Sequence, residues 1–350
     1  MGFTKMKCFL KWRTAYVIGL LAVTTMFSCQ NSETDSRLST PLKTYRLDRD
    51  IAAIDTLHIA EGLAKLKFKY PTFLDFYLDT LMGLGIQGNY NDSNPGIKLG
   101  MHDFLTHPDF RGLFDTIAQH FPNTTSIDED LNKGFSLLKK YYPKYPIPEI
   151  VYLNSNLNNY AAFTYDTLAI GIGLDMYLGA DYPYYASVGI PQYLSQRLTP
   201  DYVPVNVFQS VYRAMHPFVM DNKTLLDMML QKGKEQYFLS KVIPFVDEHK
   251  RMGYTPEQLA WCEASEAAIY HFFIEKQLLY STHMQSIIRY VMDGPTAAGM
   301  PPESPGNISN WLGYRMVKAY ADKHSEMSLA QIVAPMDAQK FLQESKYKPK

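Results

Sequence analysis

Glu149 to Leu174, EIVYLNSNLNNYAAFTYDTLAIGIGL, decides the fold class. It holds three short runs of apolar, β-branched and aromatic residues, EIVYLNS, YAAFTY and TLAIGIGL, separated by turn residues. They are the only convincing strands in the chain, and they predict a small antiparallel sheet. The protein is therefore expected to be α+β, predominantly helical, with one small antiparallel sheet. Gly171 and Gly173 stand at G-x-G spacing in the last run. No third glycine follows at the dinucleotide position and no helix comes directly after, so they read as sheet-end geometry.

Outward from these strands the pattern is helical. YRLDRDIAAIDT opens with a short extended segment, and helical pattern then runs to about Tyr70, where Pro71 forces a boundary. Further helices are expected through TFLDFYLDTLMGLG and HPDFRGLFDTIAQHF, with the loop GIQGNYNDSNPG between them. Ser126 to Glu129 reads as a capping box for a helix ending near Tyr142. DMYLGADYPYY, Asp175 to Tyr185, is expected as an irregular aromatic loop. Beyond it, helices are expected near 200–216, 222–233, 236–247, 256–280, 283–292, 308–323 and 336–344. The long one has Thr255 as N-cap and Pro256 at its first position. Its core face should be Trp261, Ser265, Ala268, Phe272 and Leu279, with Cys262 beside them.

The chain opens with Lys5, Lys7, Lys11 and Arg13 and no acid, followed by TAYVIGLLAVTTMFS, which is too short to span a bilayer comfortably. Residues 1–28 are expected to be a signal peptide. Ser28-Cys29-Gln30 resembles a lipobox, which would leave Cys29 as a lipidated N-terminus; a plain secretory signal is the alternative. Residues 29–41 then form the acylated cysteine and a flexible polar tether, and 42–350 a single mostly helical domain. With Cys8 removed and Cys29 acylated, only Cys262 stays in the folded part, so no internal disulfide is possible. Losing the leader's four cations from 34 Lys+Arg against 35 Asp+Glu moves the formal charge from −1 to about −5. That argues against nucleic acid as a partner.

The stretch SVYRAMHPF, Ser210 to Phe218, invites comparison with a zinc-peptidase helix. HExxH sets two imidazoles one turn apart with a carboxylate beside the metal-bound water. Here the series reads Tyr212, Arg213, Ala214, Met215, His216, and an arginine in the base position cannot accept a proton. LQKGKEQY, where a gluzincin would supply a third ligand, has Lys232 before Gly233. Tyr212, Arg213 and His216 are thus candidate vestigial metal-site positions on a degenerate zincin-like scaffold. Alternatively, His216 is an ordinary helix-end histidine favoured by the helix dipole. His271 and Glu275, at i and i+4, are either a surface pair or join His216 in an atypical ligand set. No serine or cysteine nucleophile signature is found. Tyr177, Asp181, Tyr182, Tyr184 and Tyr185 form a candidate binding surface for sugars or peptides.

Several segments, read in order, resemble one family: Cys29, YP-x-F-x-x-x-Y at Tyr70 to Tyr77, GLDMYLGADYPYY, LLDMMLQKGKEQYFLSKVIP, GYTPEQLAWCEASEAAIY, KQLLYST, ESPGNISNWLGYRMV and ESKYKPK. The chain is similar to the gliding-motility lipoprotein GldB family of the Bacteroidetes from about residue 45 to 350. The family has a second tryptophan near Tyr314 and often Asn-Glu where this chain reads Ser265-Glu266, departures that suggest a divergent member, from a bacterium that need not glide. The resemblance implies an outer-membrane lipoprotein, acylated by palmitate among other chains, that serves gliding or the secretion system tied to it. It implies envelope proteins as partners, no cofactor and no established catalytic activity. A looser resemblance links Tyr212 to His216 with the HExxH position of a group of zinc proteases. Three function classes follow: a non-enzymatic envelope scaffold, a zinc-dependent hydrolase using His216, His271 and Glu275, and a glycan- or peptide-binding surface lipoprotein.

Overall fold

The computed structural model describes residues 41–158 and 161–350, all within one compact unit, Arg37–Lys350. The leader, Cys29 and the tether up to residue 40 lie outside the described residues. The fold is α+β and mostly helical, with a single four-stranded sheet among the described residues. Its strands are β1 (Thr44–Arg46), β2 (Glu149–Leu153), β3 (Ala162–Tyr165) and β4 (Ala169–Gly173), in the order β1-β2-β4-β3.

The sheet is mixed rather than antiparallel. Only β3 and β4 form a hairpin, while β2 pairs parallel with both β1 and β4, Val151 opposite Gly171. Burial accounts for the difference. β2 is buried along nearly its whole length, so it must be central and covered on both faces, whereas the half-buried β3 suits an edge. Gly171 fits the pairing because the Phe163 ring lies over it, 2.2 Å from where a Cβ would stand. Ile150, Tyr152, Ile170 and Ile172 face one core, and Val151 and Leu153 the other.

β1 is the extended segment at Tyr45, and it is firmly held. Lys43 accepts from Ile150 N–H at 2.9 Å, and Leu42 N–H donates to Asn132 at 3.1 Å. Arg46 forks onto Asp48 and also donates to the Phe121 carbonyl, while Arg49 reaches the carbonyls of Phe121 and Pro122.

Among the described residues, the helices of eight residues or more are α1 (Ile59–Lys69), α2 (Pro108–His120), α3 (Thr125–Tyr141), α4 (Val203–Met215), α5 (Leu225–Val242), α6 (Pro256–Ala264), α7 (Glu266–Glu275), α8 (Ile308–Lys323) and α9 (Ala338–Ser345). α3 and α4 cover one sheet face, with Phe135 and Phe208 in contact at 4.8 Å between ring centres. The N-terminal helices cover the other, and α5 to α9 enclose a third core around Trp311.

Three local expectations change. α3 starts at Thr125 with Thr124 donating to Asp128 at 2.9 Å, so the capping box at Ser126 does not form. The segments 222–233 and 236–247 are one helix, α5, opened by a reciprocal cap between Thr224 and Asp227. Gly233 does not break it. Gly233 lets α5 meet α8 at Gly313: a Cβ on Gly313 would stand 1.8 Å from the Met229 carbonyl oxygen. The long helix from Pro256 divides at Ser265 and ends at Glu275, and its core face is Cys262, Glu266, Ile269 and Phe273, one residue on from the expected Trp261, Ser265, Ala268 and Phe272, while Leu279 beyond its end is buried as expected. The carboxylate of Glu266 is drawn inward by Arg315 at 3.0 Å and by the Tyr347 hydroxyl at 2.7 Å.

Candidate functional site

α4 begins with proline in its first turn and ends at His216, before Pro217. Phe208, Val211 and Tyr212 bury one side of it. The Tyr212 ring lies 4.8 Å from the imidazole of His216 and 5.3 Å from Phe238 of α5. Both the Tyr212 hydroxyl and Nε2 of His216 are buried without a hydrogen-bond partner. Burial, followed by the charge of Lys234, holds His216 below the usual histidine range, and burial raises the Tyr212 phenol far above its own. Both groups are therefore neutral at pH 7.

Arg213 points the other way and is exposed. Its Nε and Nη2 each donate to the Glu235 carboxylate at 3.0 Å, the paired geometry in which a guanidinium binds most specifically. Glu235 is only 4% exposed. Sequence reasoning weighed Lys232 and missed Glu235, although a signal was present. Asp227 and Glu235 are the only acids on α5, and Asp227 is used in the cap.

A zinc ion does not fit these donors. His216 offers one nitrogen, Tyr212 keeps its proton, and Glu235 is held by a cation. His271 and Glu275 sit exposed on α7, and no three His, Cys, Asp or Glu among the described residues are placed to hold a metal. The atypical ligand set of His216, His271 and Glu275 is not assembled.

Beside this pair Lys234 is buried, 5% exposed, with no carboxylate partner among the described residues. Its ammonium donates to the Ala334 carbonyl at 2.6 Å and lies 4.9 Å from the Phe341 ring. Burial lowers its pKa from 10.5 to about 8. The unfolded chain then keeps this proton to higher pH than the fold does, so stability should rise between pH 8 and 10.5, by up to about 3 kcal/mol. Denaturant unfolding of wild type and Lys234→Met at pH 7.5 and pH 10 checks this. Wild type should gain on the variant at the higher pH, and parallel behaviour would refute the assignment.

The tyrosine segment is ordered by its own hydrogen bonds rather than irregular: Leu174–Tyr177 is a 3-10 turn and Tyr184–Ser187 a short helical one. Asp175, fully buried, accepts from Ser155 N–H, Ser155 Oγ and Leu157 N–H at 2.7–2.8 Å, joining the ends of β2 and β4. The Tyr185 hydroxyl donates to the Asp175 carbonyl and accepts from Leu178 N–H, and Asn206 donates to the Tyr177 hydroxyl. Tyr177 and Tyr185 are thus core residues. Of the expected binding surface, Asp181 and Tyr184 remain exposed and Tyr182 is half-buried.

On the exposed side of Arg213 and Glu235 lies a polar cavity of about 200 Å³, adjoined by a second of about 260 Å³. The two share Arg197, Tyr202, Lys250 and Gly253 as walls. Compared with known families, residues 28–349 match the one described as "Gliding motility protein GldB". No curated protein and no solved structure matches the chain.

Proposed function

The chain belongs to the family of the gliding motility protein GldB, and from that premise we propose a non-enzymatic, lipid-anchored scaffold or accessory factor for gliding or its associated secretion system. The observation that carries the non-enzymatic reading is the Arg213–Glu235 pair. On a degenerate zincin-like scaffold, a cation occupies the position of the general base and holds the one buried acid within reach. Envelope proteins are the partners in this reading. No helix among the described residues is long and apolar enough to cross a membrane, and the proposed attachment is acylation of Cys29 after removal of residues 1–28. The outer membrane is the proposed site, with 42–350 acting as one domain.

Deleting the gene tests the role. Colony spreading or the amount of secreted and surface protein should fall, and wild-type complementation should restore it; no change in any of these would sink the proposal. Complementation with His216→Gln should succeed as well, because the imidazole has no chemical task. Complementation with Cys29→Ala should fail, with the protein recovered in the soluble fraction.

A further inference from the structure

We propose that the end of the sheet where β1, β2 and β4 begin lies on an anionic lipid surface, a contact that rests on the acylation of Cys29 proposed above and orients the anchored domain. β1, β2 and β4 run parallel, so the segments leading into them are gathered at one end. These are the chain arriving from the anchor, the proline-rich link 143–148 and the turn 166–168. The Leu168 carbonyl accepts from Glu149 N–H at 2.8 Å, which fixes that turn beside the start of β2. Two helices run toward the same end. Asp128 of α3 accepts from the Tyr152 hydroxyl at 2.6 Å, and one turn on Asn132 accepts from Leu42 N–H, just before β1. The last residues of α3 then lie roughly 12 Å farther along, past the strand starts. Tyr70, which ends α1, packs its ring 5.7 Å from that of Tyr45, whose hydroxyl donates to Glu149 at 3.3 Å.

The side chains presented here are apolar and basic together. Phe68, two residues before Tyr70, is 91% exposed, the most exposed large apolar side chain among the described residues, and Leu168 is 61% exposed. Tyr141 is exposed at the end of α3. Lys139, Lys140 and Lys144 pair with no acid among the described residues. Lys43 pairs with the half-exposed Glu149 at 3.5 Å, and Lys67 and Lys69 are neutralised by Asp75 and Asp50. Asp166 is the one acid on the two linking segments. Lysine is depleted in protein–protein interfaces. Mixed with aromatic and aliphatic side chains it suits the boundary between anionic headgroups and acyl chains, where the ammonium reaches phosphate over an apolar stem. The length of the tether points to the same surface. Residue 41 follows Cys29 by 41 − 29 = 12 residues. A chain of that length reaches at most about 43 Å however it runs, so acyl chains on Cys29 keep this end of the sheet near the bilayer.

The test is quenching by brominated acyl chains in the full acylated chain, reconstituted in vesicles of phosphatidylethanolamine and phosphatidylglycerol. Phe68→Cys and Leu168→Cys each carry one environment-sensitive fluorophore, and Cys262 is buried away from the label. Leu57→Cys and Met292→Cys are the controls. Both residues are exposed; Leu57 precedes α1, and Met292 lines the cavity with Asn206, which meets Tyr177 beyond the other end of β4. Probes at 68 and 168 should be quenched roughly threefold more than the controls, as for side chains about 5–10 Å into the headgroup boundary. Lys140→Glu with Lys144→Glu, at an unchanged Tm, should remove at least about half of that quenching, since each lysine favours an anionic surface roughly fivefold. Equal quenching at all four positions, none at any, or no effect of the lysine changes would overturn the proposal. A blue shift in native envelope membranes without quenching in protein-free vesicles would assign this end to a protein and overturn it as well. A chain whose Cys29 carries no acyl group would overturn the anchor and this contact together, whereas an acylated chain with unquenched probes overturns the contact alone.

Discussion

Gly313→Ala is expected to be among the most damaging single-methyl additions to this protein, costing about 3 kcal/mol, the upper end of the range for overpacking a tight interface. The new Cβ would stand 1.8 Å from the Met229 carbonyl oxygen and 2.6 Å from its carbon. These are backbone atoms of α5, so no side-chain rotation relieves the clash and the two helices must separate. α5 and α8 are the most extensively packed pair of elements, and their separation would open the core around Trp311. Gly233→Ala should behave similarly, its Cβ meeting the Gly313 carbonyl carbon at 2.2 Å. Gly112, in α2 with nothing within 4 Å, is the internal control. There alanine should stabilise by roughly 0.5–1 kcal/mol through helix propensity. Urea unfolding of the three variants reads the result, and a Gly313→Ala variant within 0.5 kcal/mol of wild type, about the scatter of a neutral surface change, would refute the close approach.

Arg213→Met is expected to cost about 3 kcal/mol, the low end for stripping the partner from a buried carboxylate. The low end applies because the guanidinium is itself 56% exposed and solvent screens part of the pair. Arg213 supplies both hydrogen bonds to Glu235, so the variant leaves a carboxylate in a residue only 4% exposed without either of them. Arg213→Glu, which would write the missing acid of HExxH back into the helix, should be worse because it sets two carboxylates together. Replacing both members, Arg213→Met with Glu235→Leu, should recover most of the loss, since apolar packing substitutes well for a buried ion pair. A double variant no more stable than Arg213→Met would show that the pair contributes through something other than mutual neutralisation.

These two sites also show what could be read in advance. α4 and its end at His216, the start of the helix at Thr255 and the α+β class with one small sheet were legible, because proline, caps and β-branched runs act locally. The single helix α5 was not, because Gly233 is as good a break signal as it is a contact surface, and only the facing Gly313 distinguishes the two. The strand pairing was equally hidden. β2 reads as an almost continuous apolar run, which suits a central parallel strand, yet its adjacency in sequence to β3 suggests a hairpin. At the site, Arg213 could be read as incompatible with a catalytic base. Its partner was legible only indirectly, as the one acid of α5 that the cap does not use, because Glu235 lies on a different helix and nothing local pairs the two. Tyr177 and Tyr185 look like a binding surface in sequence, since nothing local says that Asp175 and Asn206 will draw them inward.

The clasp around β1 has a mechanical meaning. If the chain is anchored at Cys29, as proposed, and gripped elsewhere by a partner, tension reaches the described part of the fold at β1, an edge strand of only three residues. Such a strand alone would peel away one backbone bond at a time. Arg46 and Arg49 instead fasten the segment to the carbonyls of Phe121 and Pro122, and Leu42 fastens it to Asn132 on α3. A pull on the tether is thereby shared with the far end of α2 and the body of α3. Resistance to such a pull would come from arginine–carbonyl contacts rather than from the length of the strand.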